Sequence, residues 1–235
     1  MNLFLDAIGE GVQALASGGV DVWEVVATSL RVSGAAVAVA LVLGVPAGLY
    51  LGMRRGAARN VFLVLANAGM GLPPVVVGLV VAMLLSRRGP LGSLGLLYTR
   101  PAMVIAQAVI AMPVVAAVTA TAVASVPVEL RLQARSLGAS RWHEAVLVLK
   151  EARMGVVAAV AAGFGAVISE VGAVMMVGGN LEGSTRVMTT AIVQYTRMGR
   201  YGPALALSAV LLALVVAVNA VLARVQRSAE RFERS

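Results

Sequence analysis

Val126-Pro127-Val128-Glu129-Leu130-Arg131-Leu132-Gln133-Ala134-Arg135-Ser136-Leu137-Gly138-Ala139-Ser140-Arg141-Trp142-His143-Glu144 is the one long polar island in a chain of otherwise apolar runs. Its spacing predicts a short surface helix, a break and a second helix. Pro127 suits the first helical position, and Leu130, Ala134 and Leu137 recur at helical intervals. Gly138 is placed to end that helix, with Ser140 free to cap the next.

The rest of the chain belongs in lipid. With 60% hydrophobic residues, 13% charged residues and a mean hydropathy of +0.91 over 235 residues, it reads as an all-α polytopic membrane protein. Aromatics are scarce, and the apolar mass is Ala, Val and Leu with 25 Gly, a mixture that lets helices approach closely. Cysteine is absent, so disulfides and thiolate metal sites are excluded, and no cofactor is expected in this chain.

Crossing the hydrocarbon takes roughly 20 helical residues. Five runs meet that length: Val32 to Leu51, Val61 to Leu85, Ala102 to Ala124, Val156 to Val177 and Ala204 to Ala223, the first beginning near Glu24. The expected organisation is an N-terminal interfacial segment over 1–23, a membrane domain over 24–226 and a basic tail over 227–235. In the first segment Leu5, Ile8, Val12 and Leu15 share a helical face opposite Asp6, Glu10 and Gln13, which fits either a helix lying along the membrane surface or a disordered tail. It is not expected to be a cleaved signal, since no basic residue precedes its apolar run and Asp6 interrupts it.

Five crossings put the termini on opposite sides. Putting the polar island inside collects Arg54, Arg55, Arg59, Arg131, Arg135, Arg141, Lys150, Arg153, Arg224, Arg227, Arg231 and Arg234 in the cytoplasm, most of the 19 basic residues. The bias places the N-terminus outside and the C-terminus in the cytoplasm. The same bias explains the net charge of +8 without nucleic acid as a partner.

Several features would be costly in inert spans. Pro73-Pro74 and Pro113 each remove a backbone donor mid-span, as in the wall of a substrate path or an ordinary kink. Glu170, in Ser169-Glu170-Val171-Gly172, falls in the outer half of the fourth run. There it either braces a gate, through an arginine or backbone donors, or sits at the interface. Gly44 and Gly48 have small-residue spacing but flank Pro46. The segment from Gly178 to Gly199 is too polar to span, and its glycines bracket a short helix; Ser169, Asn180, Thr189 and Thr190 fit either a polar lining or helix capping.

Leu132-Gln133-Ala134-Arg135-Ser136-Leu137-Gly138-Ala139 resembles the EAA motif of permease subunits of bacterial and archaeal ABC importers. Where that motif begins Glu-Ala-Ala this chain has Leu132, Gln133 and Ala134, and the nearest acid is Glu129, a turn earlier. Glu170-Val171-Gly172-Ala173 followed by Gly179-Asn180, Thr185-Arg186-Val187 and Thr189-Thr190-Ala191-Ile192 is similar to the molybdate, tungstate and sulfate branch, most of all its tungstate permeases.

The resemblance implies a type I importer fold with five transmembrane helices and a cytoplasmic coupling-helix loop. It further implies a homodimer in the lipid bilayer, separate ABC ATPase subunits gripping that loop, and an extracytoplasmic substrate-binding protein delivering a tetrahedral oxyanion. Glu129, Ala134, Arg135, Leu137, Gly138 and Ala139 would then form the ATPase-coupling site. Pro73, Pro74, Ser169, Glu170, Gly172, Asn180, Thr189 and Thr190 would form the gate and translocation path. The expected function is uptake of tungstate, with molybdate or sulfate, or a secondary anion carrier, as alternatives. The chain itself lacks a phosphate-binding loop, because its only lysine, Lys150, stands between Leu149 and Glu151. The lone His143 offers no catalytic constellation, so no enzyme is expected.

Overall fold

The structure, a computed structural model, describes residues 3–16, 22–54 and 56–233, with side chains at 3–5, 14–16, 57–59 and 225–233 outside the description. The side chains of Leu5, Leu15, Arg55, Arg59, Arg227, Arg231 and Arg234, used in the sequence reading, therefore lie outside the described residues.

Eleven α-helices and no strand occur among the described residues: α1 (Leu3–Ala16), α2 (Val22–Met53), α3 (Ala57–Met70), α4 (Pro74–Leu85), α5 (Arg100–Ala124), α6 (Val128–Ser136), α7 (Arg141–Glu151), α8 (Arg153–Ile168), α9 (Gly172–Gly178), α10 (Met188–Arg197) and α11 (Tyr201–Glu233). Three are long and apolar enough to cross a bilayer unbroken: α2, α5 and the Tyr201–Arg224 part of α11. The second and fourth expected runs are not single helices. Asn60–Met70 and Pro74–Leu85 meet at 96°, and Arg153–Ile168 and Gly172–Gly178 at 63°; counting each pair as one span gives five.

The first bend follows from local chemistry. Pro73 precedes α4 in an extended conformation and Pro74 opens it, where a missing N–H costs nothing. The second bend has no proline and rests on contacts described below. No helix boundary falls at 226, since α11 runs on to Glu233.

The chain forms two compact units, each assembled from distant segments. One comprises 1–36, 73–108 and 165–218, the other 37–72, 109–164 and 219–235. In the second unit α2 meets α5 along a glycine stripe. A Cβ at Gly44 would lie 2.9 Å from Val115, at Gly48 2.6 Å from Thr119 and the Ala116 carbonyl, and at Gly52 2.5 Å from Val123. Both sets recur every fourth residue, so each glycine receives one side chain of the facing helix. Pro46, between the first two glycines, leaves α2 helical. Gly69 of α3 accommodates Pro113 of α5 in the same manner.

In the first unit α4 and α9 are the packed pair, with Gly78 against Ala173 and Gly172 against Val75. On α1 the expected apolar residues Ile8 and Val12 are exposed, as are Asp6, Glu10 and Gln13, whereas Ala7 and Gly11 between the two faces are buried, Gly11 facing the Gly202 carbonyl of α11. Small residues make the protein contact and the larger ones are left outward, the reverse of a soluble amphipathic helix.

Gly48→Leu should be destabilising by about 1–3 kcal/mol, because its Cβ alone meets backbone. Gly34→Leu, on the same helix with nothing within 4 Å, serves as the control. Thermal unfolding in detergent distinguishes them, and equal melting of the two variants would contradict the stripe.

Candidate functional site

The polar island folds into α6 and α7 around a glycine joint. Pro127 caps α6 from outside and does not occupy its first turn. At the far end the Ala139 N–H donates to the Ala134 carbonyl and the Gly138 N–H to that of Arg135, while Gly138 adopts a φ of +82°. This paired reversal leaves the glycine in a left-handed conformation that other residues resist. Ser140 then caps α7, accepting from the His143 N–H at 3.3 Å, with its hydroxyl 2.7 Å from His143 Nδ1.

Leu130 and Ala134 of the expected apolar face are half-buried, but Leu137 is 88% exposed. The helix stops at Ser136, so the periodicity that includes Leu137 outruns the element that carries it. Glu129 is exposed and makes no ion pair among the described residues. The acid around which the loop closes is Glu144, only 2% exposed. Its Oε1 accepts from Arg131 Nε at 2.9 Å and Arg135 Nη2 at 3.0 Å, and its Oε2 from Arg135 Nε at 2.8 Å. Arg131 also donates through Nη2 to the Met53 carbonyl, 3.0 Å away at the end of α2.

The Arg135 hydrogen bond, with Arg131 beside it, holds the Glu144 carboxyl below the ordinary glutamate range against the upward push of burial; the same hydrogen bond raises the Arg135 guanidinium. Beneath the charges, Val123, Val126, Val148 and Ala152 form a small core with Leu49, Met53, Ala122 and Leu130 packed on it. The signal for Glu144 was present in the sequence: Glu144, Val148 and Ala152 share the buried face of α7 and its C-cap at intervals of four.

The break between α8 and α9 exposes carbonyls that side chains then satisfy. Gln107 of α5 donates through Nε2 to the Val167 carbonyl at 3.0 Å. Thr189 donates to the Glu170 carbonyl at 2.8 Å, and at the far end of α9 Thr185 donates to that of Gly178. The Glu170 carboxylate takes a backbone donor, the Ala173 N–H at 2.9 Å, and no arginine among the described residues. Gly172 abuts Val75, so the turn after Pro73-Pro74 and the break at Glu170 lie side by side.

The polar residues expected at a lining have internal partners. Ser169 donates to the Gly165 carbonyl at 2.9 Å, and the Asn180 side-chain amide donates to Gln194. Thr190 Oγ1 accepts from the Val187 N–H at 3.1 Å. Ser29 on α2 accepts from the Met188 N–H at 2.7 Å, fixing the start of α10. Gln107 and Ser29 escaped the sequence reading; Gln107 was marked as the one polar residue between Ala102 and Val118, and Ser29 stood beside Thr28 and Arg31 with nothing to set it apart.

Residues 44–231 match the family described as binding-protein-dependent transport system inner membrane component. A probable anion ABC transporter permease protein of Haloferax volcanii is 47% identical over 205 residues, covering 85% of this chain and 88% of that one. The tungstate uptake system permease protein TupB of Peptoclostridium acidaminophilum is 38% identical over 226 residues, 94% of this chain and 99% of the relative. Among solved structures, the MetNI methionine ABC transporter in an inward facing form superposes with a TM-score of 0.67 at 17% identity, over 88% of this chain and 95% of that one, which speaks for the fold alone. The chain belongs to the binding-protein-dependent transport system inner membrane components, the permease subunits of ABC importers, and is a membrane subunit and not the ATP-hydrolysing one.

Proposed function

We propose that this chain is the permease subunit of an ATP-driven importer that moves a tetrahedral oxyanion, tungstate in the first place, across the cytoplasmic membrane. The observation that carries the reading is the end-to-end match to a tungstate uptake permease, supported by the anion-named archaeal relative. Membership of the family brings two kinds of partner, an ATPase and a substrate-binding protein. Two copies of the chain form the pathway, with the N-terminus outside, as the arginine distribution favours.

In this reading α6 is the lever. Glu144 clamps Arg131 and Arg135 on α6 to α7, and Arg131 ties both to the end of α2, so a push on the loop reaches a membrane-spanning helix without slack. Gly138 is the joint, while Glu129, Ala134, Leu137 and Ala139 present the contact face. The half-helices α4 and α9 carry the gate: Pro73 and Pro74 set one bend, and Glu170 and Gly172 the other. Ser169, Asn180, Thr189 and Thr190 act there by holding the breaks open through the bonds they make, and the charge on Glu170 is spent on α9 and not on an anion that it would repel.

Reconstituted with its ATPase and binding protein, the permease should take up labelled tungstate in an ATP-dependent manner, unaffected by dissipating proton and sodium gradients. Competition should rank molybdate above sulfate; uptake driven by a gradient without ATP would refute the class, and sulfate outcompeting tungstate would refute the substrate.

Gly138→Val meets no neighbouring atom yet must adopt a left-handed backbone at a cost of about 1–2 kcal/mol. It should insert normally but hydrolyse ATP without matching uptake, whereas Gly138→Asn, tolerant of that conformation, should keep most transport. Equal uptake by both variants would remove the joint from the mechanism.

Because the folded pKa of Glu144 is depressed, its contribution is complete above the ordinary glutamate range and disappears as pH falls through the lowered value. Wild type and Glu144→Gln should therefore differ in thermal stability at neutral pH and converge in acid, as followed by tryptophan fluorescence. A difference unchanged in acid would contradict the ion pair.

A further inference from the structure

A cavity of about 750 Å³ opens beside the jointed loop, lined by Tyr50, Met53 and Arg54 from the end of α2 and by Arg131, Arg135, Ala139, Arg141 and Glu144. Four guanidiniums face one carboxylate. Glu144 is already committed on both oxygens to Arg131 and Arg135. Arg54 and Arg141 have no carboxylate partner among the described residues; Arg54 instead lies over the Tyr50 ring, 4.3 Å from its centroid. Guanidiniums gathered this closely repel one another unless an anion sits among them, and their planar forks match phosphate oxygens.

The cavity's position selects the kind of phosphate. Met53 ends a membrane-length helix, so Tyr50 and Arg54 stand at headgroup level, where aromatic and basic side chains collect. From Tyr50 an exposed apolar strip leads back into the span through Ala47, Pro46 and Leu43, which share its face at helical spacing. An acyl chain laid on that strip carries its headgroup into the arginine cavity. Ala139 belongs both to the cavity and to the contact face proposed above, but the residues that project farthest toward a protein partner, Leu137 and Trp142, 88% and 75% exposed, are not among the cavity's lining.

We infer that this cavity binds the phosphate of an anionic phospholipid, with Arg54 and Arg141 as its free ligands and its acyl chain along α2. Basic pockets at the ends of membrane helices hold such headgroups. The site requires only that α2 ends at a membrane surface, so it stands or falls apart from the choice of transported anion.

The test uses the permease–ATPase complex in mild detergent, titrated with phosphatidylglycerol or phosphatidylcholine and followed by thermal unfolding and native mass spectrometry. Phosphatidylglycerol should stabilise the complex saturably and remain bound, and phosphatidylcholine should not. Arg54→Gln and Arg141→Gln should each weaken phosphatidylglycerol binding roughly tenfold, the loss of one charge-assisted contact, while Arg54→Lys and Arg141→Lys keep part of it. Circular dichroism checks that each variant is folded, and the lysine variants carry the test if a glutamine variant misfolds. Equal stabilisation by both lipids, full competition by millimolar inorganic phosphate, or loss of ATPase binding with lipid affinity intact would each overturn the proposal.

Discussion

A carbonyl freed inside a membrane protein has no water to turn to, and that constraint governs where this chain can break. Helices in lipid satisfy their own backbone, so an interruption persists only where something else donates. The interruption between α8 and α9 meets the condition with Gln107 and Thr189, from two distant parts of the chain, and Thr185 does the same at the far end of α9. Ser29 then fixes the start of α10, the helix that carries Thr189. The polar segment after α9 is therefore part of the break's support and no mere connection.

The loop obeys the same logic with charge in place of carbonyls. A carboxylate as buried as Glu144 would be prohibitive alone and is tolerable because two guanidiniums share its oxygens. Arg131 spends another donor on the last carbonyl of α2, which that helix cannot satisfy itself. One side chain thus closes a helix end and binds the loop to it. The glycine stripe between α2 and α5 fixes the other side of that arrangement by bringing backbones close enough to interlock.

What the sequence made legible was whatever is decided locally. Proline at 73 and 74, glycine at 138 and serine at 140 each act within a few residues, and the structure bends, reverses and caps there. The apolar runs stood out because lipid demands length. Ser169-Glu170 stood out as a costly polar pair, but the helix break there did not, since the apolar run resumes at Val171 and the break's donors come from as far as 60 residues away. The buried face that carries Glu144 was periodic, but its partners were hidden for a similar reason: its arginines lie nine and thirteen residues back, across a chain reversal that no helical spacing describes. The glycine stripe gained meaning only with the facing Val115, Thr119 and Val123 in view. Leu137, read at helical spacing, is the C-cap of α6 and stands exposed there.

The exposed side chains of Leu137 and Trp142 give the jointed loop an apolar tip that has a cost for the cell. Surface of that kind on a lone subunit invites self-association and attracts the machinery that removes orphaned chains. Synthesis in step with whatever covers the tip would spare the cell that waste, so the loop's shape bears on how much of this protein survives as well as on how it moves.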